Sequence, residues 1–468
     1  MFNLRKYSLE IGFGLLLIIC IFNFFLYLGD IPIRDWDEAR HGVSAIEMLE
    51  TKNFIVNTYN YEVDYWNAKP PLSFWASSLG LIIFDNTLFG LRFFSAFFSC
   101  ITVFSIVWFA AVKFSWPVGL ATGAILVSLN RFVLKHNVRT ADPDALFIML
   151  SVIAILCVLC MKQRVWLFFI AVFLISLAFL TKGFHAAIPG CLILILVIFE
   201  LRKDFFTAKT LSYSVLCFCV PVMIWAFFRY FNDGVEFFDR MLFYDVLKRA
   251  ASSIEGHSGP FYYYLNIIIK EFRLTLLAIV VLYIVLCCVR RKTMPWSIFI
   301  SNNSNFLYFK ILFCIFFPIM IFSMASSKLG WYVYLTFPFI SIVCAVILFN
   351  IVEFSGTESY GRNFKRNLVF FLLILFLIQE GYLIGKIIKQ KNNFDFVQVA
   401  ILEASQKQKN VSMFIEGDEW HQRFVLAAKL YGKFKPQSGG QVAWNNYESK
   451  GAVLILINGE KNAQIYVK

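Results

Sequence analysis

The chain has 468 residues, of which 59% are hydrophobic, 18% aromatic and only 16% charged, with a formal net charge of +13. At a mean hydropathy of +0.68 it cannot cover its apolar surface with polar side chains, so a soluble multidomain protein is excluded and a polytopic membrane protein is expected. The eleven cysteines all fall inside apolar runs and none lies in the last hundred residues, which excludes a disulfide framework.

Apolar stretches long enough to cross a bilayer, about 17 to 25 residues, fall near 9–28, 88–112, 117–134, 144–161, 165–180, 185–200, 210–231, 274–289, 307–325, 331–352 and 368–388, about eleven in all. The expected fold is all-α and polytopic. Arg5 and Lys6 precede the first run and no small-residue cleavage site follows it, as for a retained anchor with a cytoplasmic N-terminus. Alternating from there, the cytoplasmic connectors are short and basic: Lys113; Lys162 and Arg164; Arg202, Lys203 and Lys209; Arg290, Arg291 and Lys292; Arg362, Lys365 and Arg366. This agrees with the positive-inside rule and accounts for much of the +13 without a nucleic acid partner.

The opposite side receives long loops at 29–87 and 232–273, shorter turns at 135–143, 181–183 and 326–328, and the tail from 389. All five histidines fall there. So do Lys69, Arg139, Lys182 and Lys328, basic residues at span ends where the topology rule disfavours them. Such a cationic rim suits an anion at membrane depth.

Within the first loop, Arg34 to His41 holds three carboxylates and two guanidiniums, and Glu38 to Glu50 has the spacing of an amphipathic helix capped by Asp35 or Asp37. Asp37 and Arg40 share one face of that helix; a solvated, capped helix end is the plain alternative to a site. Tyr59, Tyr61, Tyr65 and Trp66 suit a headgroup belt or sugar stacking, and Pro70-Pro71 fixes the direction of Lys69, as a snorkelling anchor or a phosphate ligand. Asp142 and Asp144 form either a metal-binding pair or a helix cap with an Arg139 partner. His257, flanked by Gly256 and Gly259-Pro260, either reaches the cleft or lies exposed in its loop. Cys157 and Cys160 sit inside a span, away from redox or zinc chemistry. In the tail, Val411–Ile415 and Ala452–Ile457 read as strands around a helical stretch at Trp420–Tyr431. The expected organisation is thus a membrane unit at 1–388 and a small soluble α/β domain at 389–468.

Asp37-Glu38-Ala39-Arg40 followed by Lys69-Pro70-Pro71-Leu72 resembles the polyprenyl-phosphate-sugar transferases of the protein mannosyltransferase superfamily, and within it the bacterial aminoarabinose lipid A transferase group. Arg139 to Asp144, Leu180 to Gly183 with Pro189-Gly190, His257 to Tyr264, Ser326 to Leu329 and Phe337-Pro338 agree in order. The resemblance implies a GT-C fold in the bacterial inner membrane, with an active site on the first periplasmic loop, a polyprenyl (undecaprenyl) phosphate sugar as donor and lipid A or another envelope glycan or protein as acceptor. It departs at Ala68 and His41, where that group carries a glutamate associated with a metal and a tyrosine. The family's histidine and arginine in the second long loop have no clean match among Asp245, Lys248, Arg249 and His257.

Sugar transfer from a lipid phosphate needs cations around the leaving group and a carboxylate toward the acceptor. Arg40, Lys69, Arg139, Lys182 and Lys328 are the candidates for the first role. Asp37 is the candidate for the second, as base or orienting group, with Glu38 sharing it; Asp142, Asp144 and His257 are further candidates, and a divalent metal is left open. Transfer of a hexose to protein hydroxyls is the alternative within this class. An anionic-lipid transporter is the alternative outside it, disfavoured because the ionisable residues gather at span ends and no internal repeat is seen.

Overall fold

The computed structural model describes residues 2–161, 164–200, 207–248, 252, 256–290, 305–355, 361–416, 420–448, 451–457 and 463–468. Among the basic connector residues, Lys162, Arg202, Lys203, Arg291 and Lys292 lie outside that set, as does Arg249 of the second long loop; the side chain of Asp245 is outside it as well.

Each apolar stretch of the sequence forms helix. In chain order these are α1 (Phe2–Phe25), α2 (Asp37–Thr51), α3 (Leu72–Ile83), α4 (Leu88–Lys113), α5 (Trp116–Val127), α6 (Asn130–Leu134), α7 (Asp144–Leu159), α8 (Trp166–Lys182), α9 (Ala187–Glu200) and α10 (Ala208–Asp233). After α11 (Glu236–Asp239) and the π-helical α12 (Arg240–Lys248) come α13 (Tyr263–Glu271), α14 (Arg273–Arg290), α15 (Asn305–Met324), α16 (Phe337–Ser355) and α17 (Gly361–Lys391). Buried residues of α1, α4, α5, α7, α8 and α14 to α17 form one continuous apolar core. Small residues let some backbones meet: a Cβ on Gly80 of α3 would stand 2.2 Å from the carbonyl oxygen of Gly90 in α4.

Among the described residues, six helices are long and apolar enough to cross a membrane, or seven with the pair α13 and α14, bent by 70°. This is fewer than the eleven or so expected. Trp166–Phe199 runs as one stretch through a 3-10 turn at Gly183–Ala186, and α3, α5 and α7, with 12, 12 and 16 residues, fall below span length. At about 1.5 Å per residue, the 12-residue α5 reaches roughly 18 Å, short of a hydrocarbon core of about 30 Å.

The tail adds α18 (Phe396–Lys407), α19 (Gln422–Gly432) and α20 (Gly440–Asn445) around a four-stranded sheet. Its strands β3 (Ser412–Glu416), β4 (Lys435–Gln437), β5 (Ala452–Ile457) and β6 (Ala463–Val467) are ordered β4-β3-β5-β6, with β3 parallel to β4 and β5, and β6 antiparallel to β5. In the first loop, β1 (Thr58–Tyr59) and β2 (Glu62–Val63) form a short hairpin.

A second apolar core joins α2 to the tail. Ala39, Val43 and Ile46 pack with Ile401, Phe424 and Leu426, and a Cβ on Gly42 would fall 2.6 Å from a Leu426 methyl. Polar contacts close the same joint: Gln398 exchanges hydrogen bonds with the backbone of Ile33, and Arg423 binds Asp35 at 2.8 Å. The wholly buried Lys429 pairs with Glu47 at 2.9 Å. The helix carrying Asp37 is thereby held against the tail.

Candidate active site

The backbone enters α2 through Trp36 at φ 65° and ψ −113°, a region that L-residues other than glycine rarely occupy. The turn leaves the Trp36 indole 57% exposed and sends the next two carboxylates to different places.

Glu38 points inward. Its oxygens accept from Arg92 Nε at 2.6 Å and Nη2 at 2.9 Å, and from the backbone N–H groups of Arg34 and Ala141 at 2.9 and 3.1 Å. Arg92 spends its remaining donors on the carbonyls of Leu28, Ile31 and Pro32. Beside this knot, Arg139 donates to the carbonyls of Asn23, Phe24 and Leu26 at the end of α1. Burial pushes the Arg139 pKa down to about 9, with Arg92 and Arg34 adding repulsion. These groups fasten the first loop to the bundle.

Asp37 points outward into a cavity of about 390 Å³ lined also by Trp36, Trp66, Lys69, His136, Asp144 and Lys182, among others. Its contacts are long: Lys69 Nζ stands 3.6 Å from Oδ1, and His136 Nδ1 stands 3.8 Å from Oδ2. His136 also lies 3.5 Å from Asp142 and stacks on Trp331 with centroids 3.7 Å apart. Burial opposes charge on His136, but Asp142 and Asp37 outweigh it and raise its pKa. Burial likewise opposes charge on Asp142, and His136 outweighs it, holding that carboxyl below the usual range. On the far wall Lys182 donates to Asp144 at 2.5 Å and lies 5.4 Å from the Tyr332 ring centroid.

Of the residues singled out in the sequence, Asp37, Lys69, Asp144, Lys182 and His257 line this cavity, and Asp142 adjoins it through His136. The others lie elsewhere. Glu38 is saturated by Arg92, not shared with Asp37. Arg40 is held by Asp64 at 2.6 and 3.1 Å and lies against Tyr59 and Trp66. Arg139 is committed to carbonyls, and its expected pairing with Asp142 or Asp144 is not formed. Lys328 is buried, with Nζ on the Ala325 carbonyl and its backbone N–H on that of His257. Among the described residues, the group of three or more ligand atoms within 4.8 Å of one another is Asp37, His136 and Asp142, without Asp144.

His136 is the residue that sequence reading passed over, as one of five outer-side histidines. Its positive φ of 49° and its place three residues before Arg139 are the local signs that were present. His41 is buried in α2 and stacked on Phe74 at 3.9 Å. Burial, with Lys69 adding repulsion, depresses its pKa to about 3.

The bundle, with its acidic and basic cavity, has the GT-C fold of membrane glycosyltransferases and is similar to the solved structures of ArnT and of an oligosaccharyltransferase. Residues 68–225 match the family described as dolichyl-phosphate-mannose-protein mannosyltransferase. The undecaprenyl phosphate-alpha-4-amino-4-deoxy-L-arabinose arabinosyl transferase of Photorhabdus laumondii is 23% identical over 57% of this chain, which spans 48% of that relative's length. Among solved structures, ArnT from Cupriavidus metallidurans bound to undecaprenyl phosphate superposes with a TM-score of 0.69 at 14% identity, covering 95% of this chain and 92% of that one. The Archaeoglobus fulgidus oligosaccharyltransferase does so at 0.57 and 10% identity, covering 95% and 66%. The matched family and these neighbours are glycosyltransferases.

Proposed function

We propose that the chain moves a sugar from a polyprenyl phosphate, most readily undecaprenyl phosphate, to an acceptor on the periplasmic face of the bacterial inner membrane, with lipid A as the leading acceptor. The observation that carries this reading is the cavity where Asp37, Lys69 and His136 meet at 3.6 and 3.8 Å without saturating one another. Groups held close but not consumed by each other are available to a ligand. The basic cytoplasmic connectors support the periplasmic orientation of the cavity and tail, and the change of composition at 389 supports a membrane unit at 1–388 with a separate tail domain.

In this mechanism Lys69 and Lys182 stabilise charge growing on the departing lipid phosphate, while Asp37 orients the acceptor oxygen and takes its proton. For a hydroxyl acceptor the base contributes about 10²- to 10⁴-fold. For a phosphate acceptor, already anionic, Asp37 orients alone. The exposed Trp36, 5.8 Å from Trp66, offers an aromatic face to a sugar at the cavity mouth. Asp37, His136 and Asp142 fit a divalent cation: Asp142 Oδ1 and His136 Nδ1 are buried without a hydrogen-bond partner among the described residues. Such an ion, when bound, supplies Lewis-acid stabilisation of anionic oxygen. Ala68 replaces the family's metal-associated glutamate with a buried methyl, so any ion here depends on His136 instead.

The test is mass spectrometry of lipid A and envelope glycoproteins from cells with and without the gene. Loss of a sugar mass from lipid A is the expected result. Loss from glycoproteins alone moves the acceptor to protein, and no change in any glycan sinks the transferase reading.

A further inference from the structure

The turn into α2 is held from both sides. Trp36 sits at φ 65° and ψ −113°, a conformation that costs an L-residue energy and persists only where flanking contacts over-determine it. Downstream, the Trp36 carbonyl accepts from the Arg40 N–H at 2.9 Å, and the Glu38 carboxylate reaches back across the turn to the Arg34 N–H at 2.9 Å. Upstream, the Asp35 carboxylate accepts from the Trp36 N–H at 3.2 Å. Asp35 is itself gripped by the tail. Its Oδ1 accepts from the Arg423 N–H at 3.1 Å and its Oδ2 from Arg423 Nη1 at 2.8 Å, with His421 Nδ1 3.4 Å away.

Arg423 is anchored in turn. Its Nε donates to Asp395 Oδ2 at 2.8 Å, and Asp395 caps α18 by accepting from the N–H groups of Val397 and Gln398. The planar guanidinium thus spans two carboxylates in two directions, which a single ammonium cannot do at once. The line of contacts runs from α18 through Asp395, Arg423 and Asp35 to Trp36, and the next residue is Asp37. Asp37 has little else to hold it. Its distances to Lys69 and His136, 3.6 and 3.8 Å, are too long for hydrogen bonds, so the backbone before it sets the direction of its carboxylate. Asp35 and Trp36 line the Asp37 cavity, while Arg423 stands behind them.

We propose that Arg423 is a positioning residue for transfer: through Asp35 it keeps Trp36 in its strained turn and Asp37 aimed into the cavity, so the tail takes part in turnover without touching substrate. The proposal rests on the transferase reading above and adds the tail to its machinery. The test follows two readouts across Arg423→Met, Arg423→Lys and Asp35→Asn. One is amide hydrogen exchange of residues 34–41 in the purified full chain. The other is how much of the envelope sugar lost on gene deletion each variant restores to cells, at matched protein level. In Arg423→Met, exchange over 34–41 is expected to rise about tenfold or more, and transfer to fall about 10- to 10²-fold, the scale of a 1 Å misplacement. Undecaprenyl phosphate affinity holds, since Lys69 and Lys182 are untouched. Arg423→Lys, which keeps the charge but reaches one carboxylate at a time, recovers part of both readouts. The double variant Arg423→Met/Asp35→Asn is expected to lose no more than the worse single variant, because both changes break one link.

Wild-type transfer by Arg423→Met overturns the proposal, as does lost transfer without faster exchange over 34–41. Exchange that rises equally over α19 and the bundle, or undecaprenyl phosphate affinity that falls with transfer, makes the arginine a general brace and overturns the positioning role. Additive losses in the double variant overturn the route through Asp35. If Arg423→Met does not fold, Arg423→Lys and Asp35→Asn carry the same comparison, since the Arg423 side chain is 27% exposed and the lysine variant keeps its charge. Glycans that do not change on gene deletion count against the transferase reading, while exchange over 34–41 still decides whether Arg423 holds the turn.

Discussion

Asp37 and Glu38 are adjacent in sequence and carry the same group, yet their surroundings are opposite. Glu38 is 1% exposed and receives four hydrogen bonds, two of them from Arg92. Asp37 has two ionic neighbours, both beyond hydrogen-bonding distance, and a cavity in front of it. A buried charge with every lone pair occupied is a structural joint, because nothing further can approach it. A charge held loosely beside others of both signs retains the capacity to bind. The geometry of contact therefore separates fastening from chemistry where residue type does not.

That contrast can be broken most directly on the saturated side. Arg92→Leu strands Glu38 without its partner and is expected to destabilise the fold by about 3–5 kcal/mol, visible as loss of extractable protein and a lower unfolding temperature; wild-type stability would end the distinction. On the open side, Asp37→Asn is expected to unfold near the wild-type temperature while losing transfer by about 10²- to 10⁴-fold for a hydroxyl acceptor. Full turnover by this variant removes Asp37 from the mechanism. Lys69→Met is expected to weaken binding of undecaprenyl phosphate about tenfold, with little change in stability, since its 3.6 Å pair is partly solvated.

A further effect, seen only on acidification, concerns His41. Its folded pKa of about 3 lies below the ordinary value of 6.5, so between those limits the unfolded chain binds the extra proton. Stability then falls as pH drops from 6.5 toward 3, by up to about 1.4 kcal/mol per unit, and is flat above 6.5 for this group. His41→Phe, which keeps the stack on Phe74, is expected to reduce the slope of unfolding temperature against pH in that window. An unchanged slope assigns the acid sensitivity to other groups.

Much of this was legible in sequence because it is local. Apolar run lengths located the helices, and Lys69, just before Pro70-Pro71, lines the cavity. The Val411–Ile415 and Ala452–Ile457 runs became neighbouring strands. What could not be read depends on partners far away in the chain. Arg92 lies 54 residues from Glu38, and Arg139 finds its carbonyls more than a hundred residues back, so the partners of Glu38 and Arg139 are not visible in their local sequence. His136 was obscured for the converse reason, since the acids and Trp331 that give it a role meet only in three dimensions. Hydropathy reads apolarity, while helix length decides whether a segment reaches across, so about eleven apolar stretches correspond to six or seven span-length helices among the described residues.

The joint between α2 and the tail has a consequence for the order of events in synthesis. Ile33 waits for Gln398 and Asp35 for Arg423, 365 and 388 residues later. At about 5–20 residues per second, the delay is roughly 20–80 s. For that interval the first loop is without the groups that later brace it. A chain truncated before residue 390 yields a bundle whose Asp37 helix never meets its last partners, so the tail decides how the first loop is held.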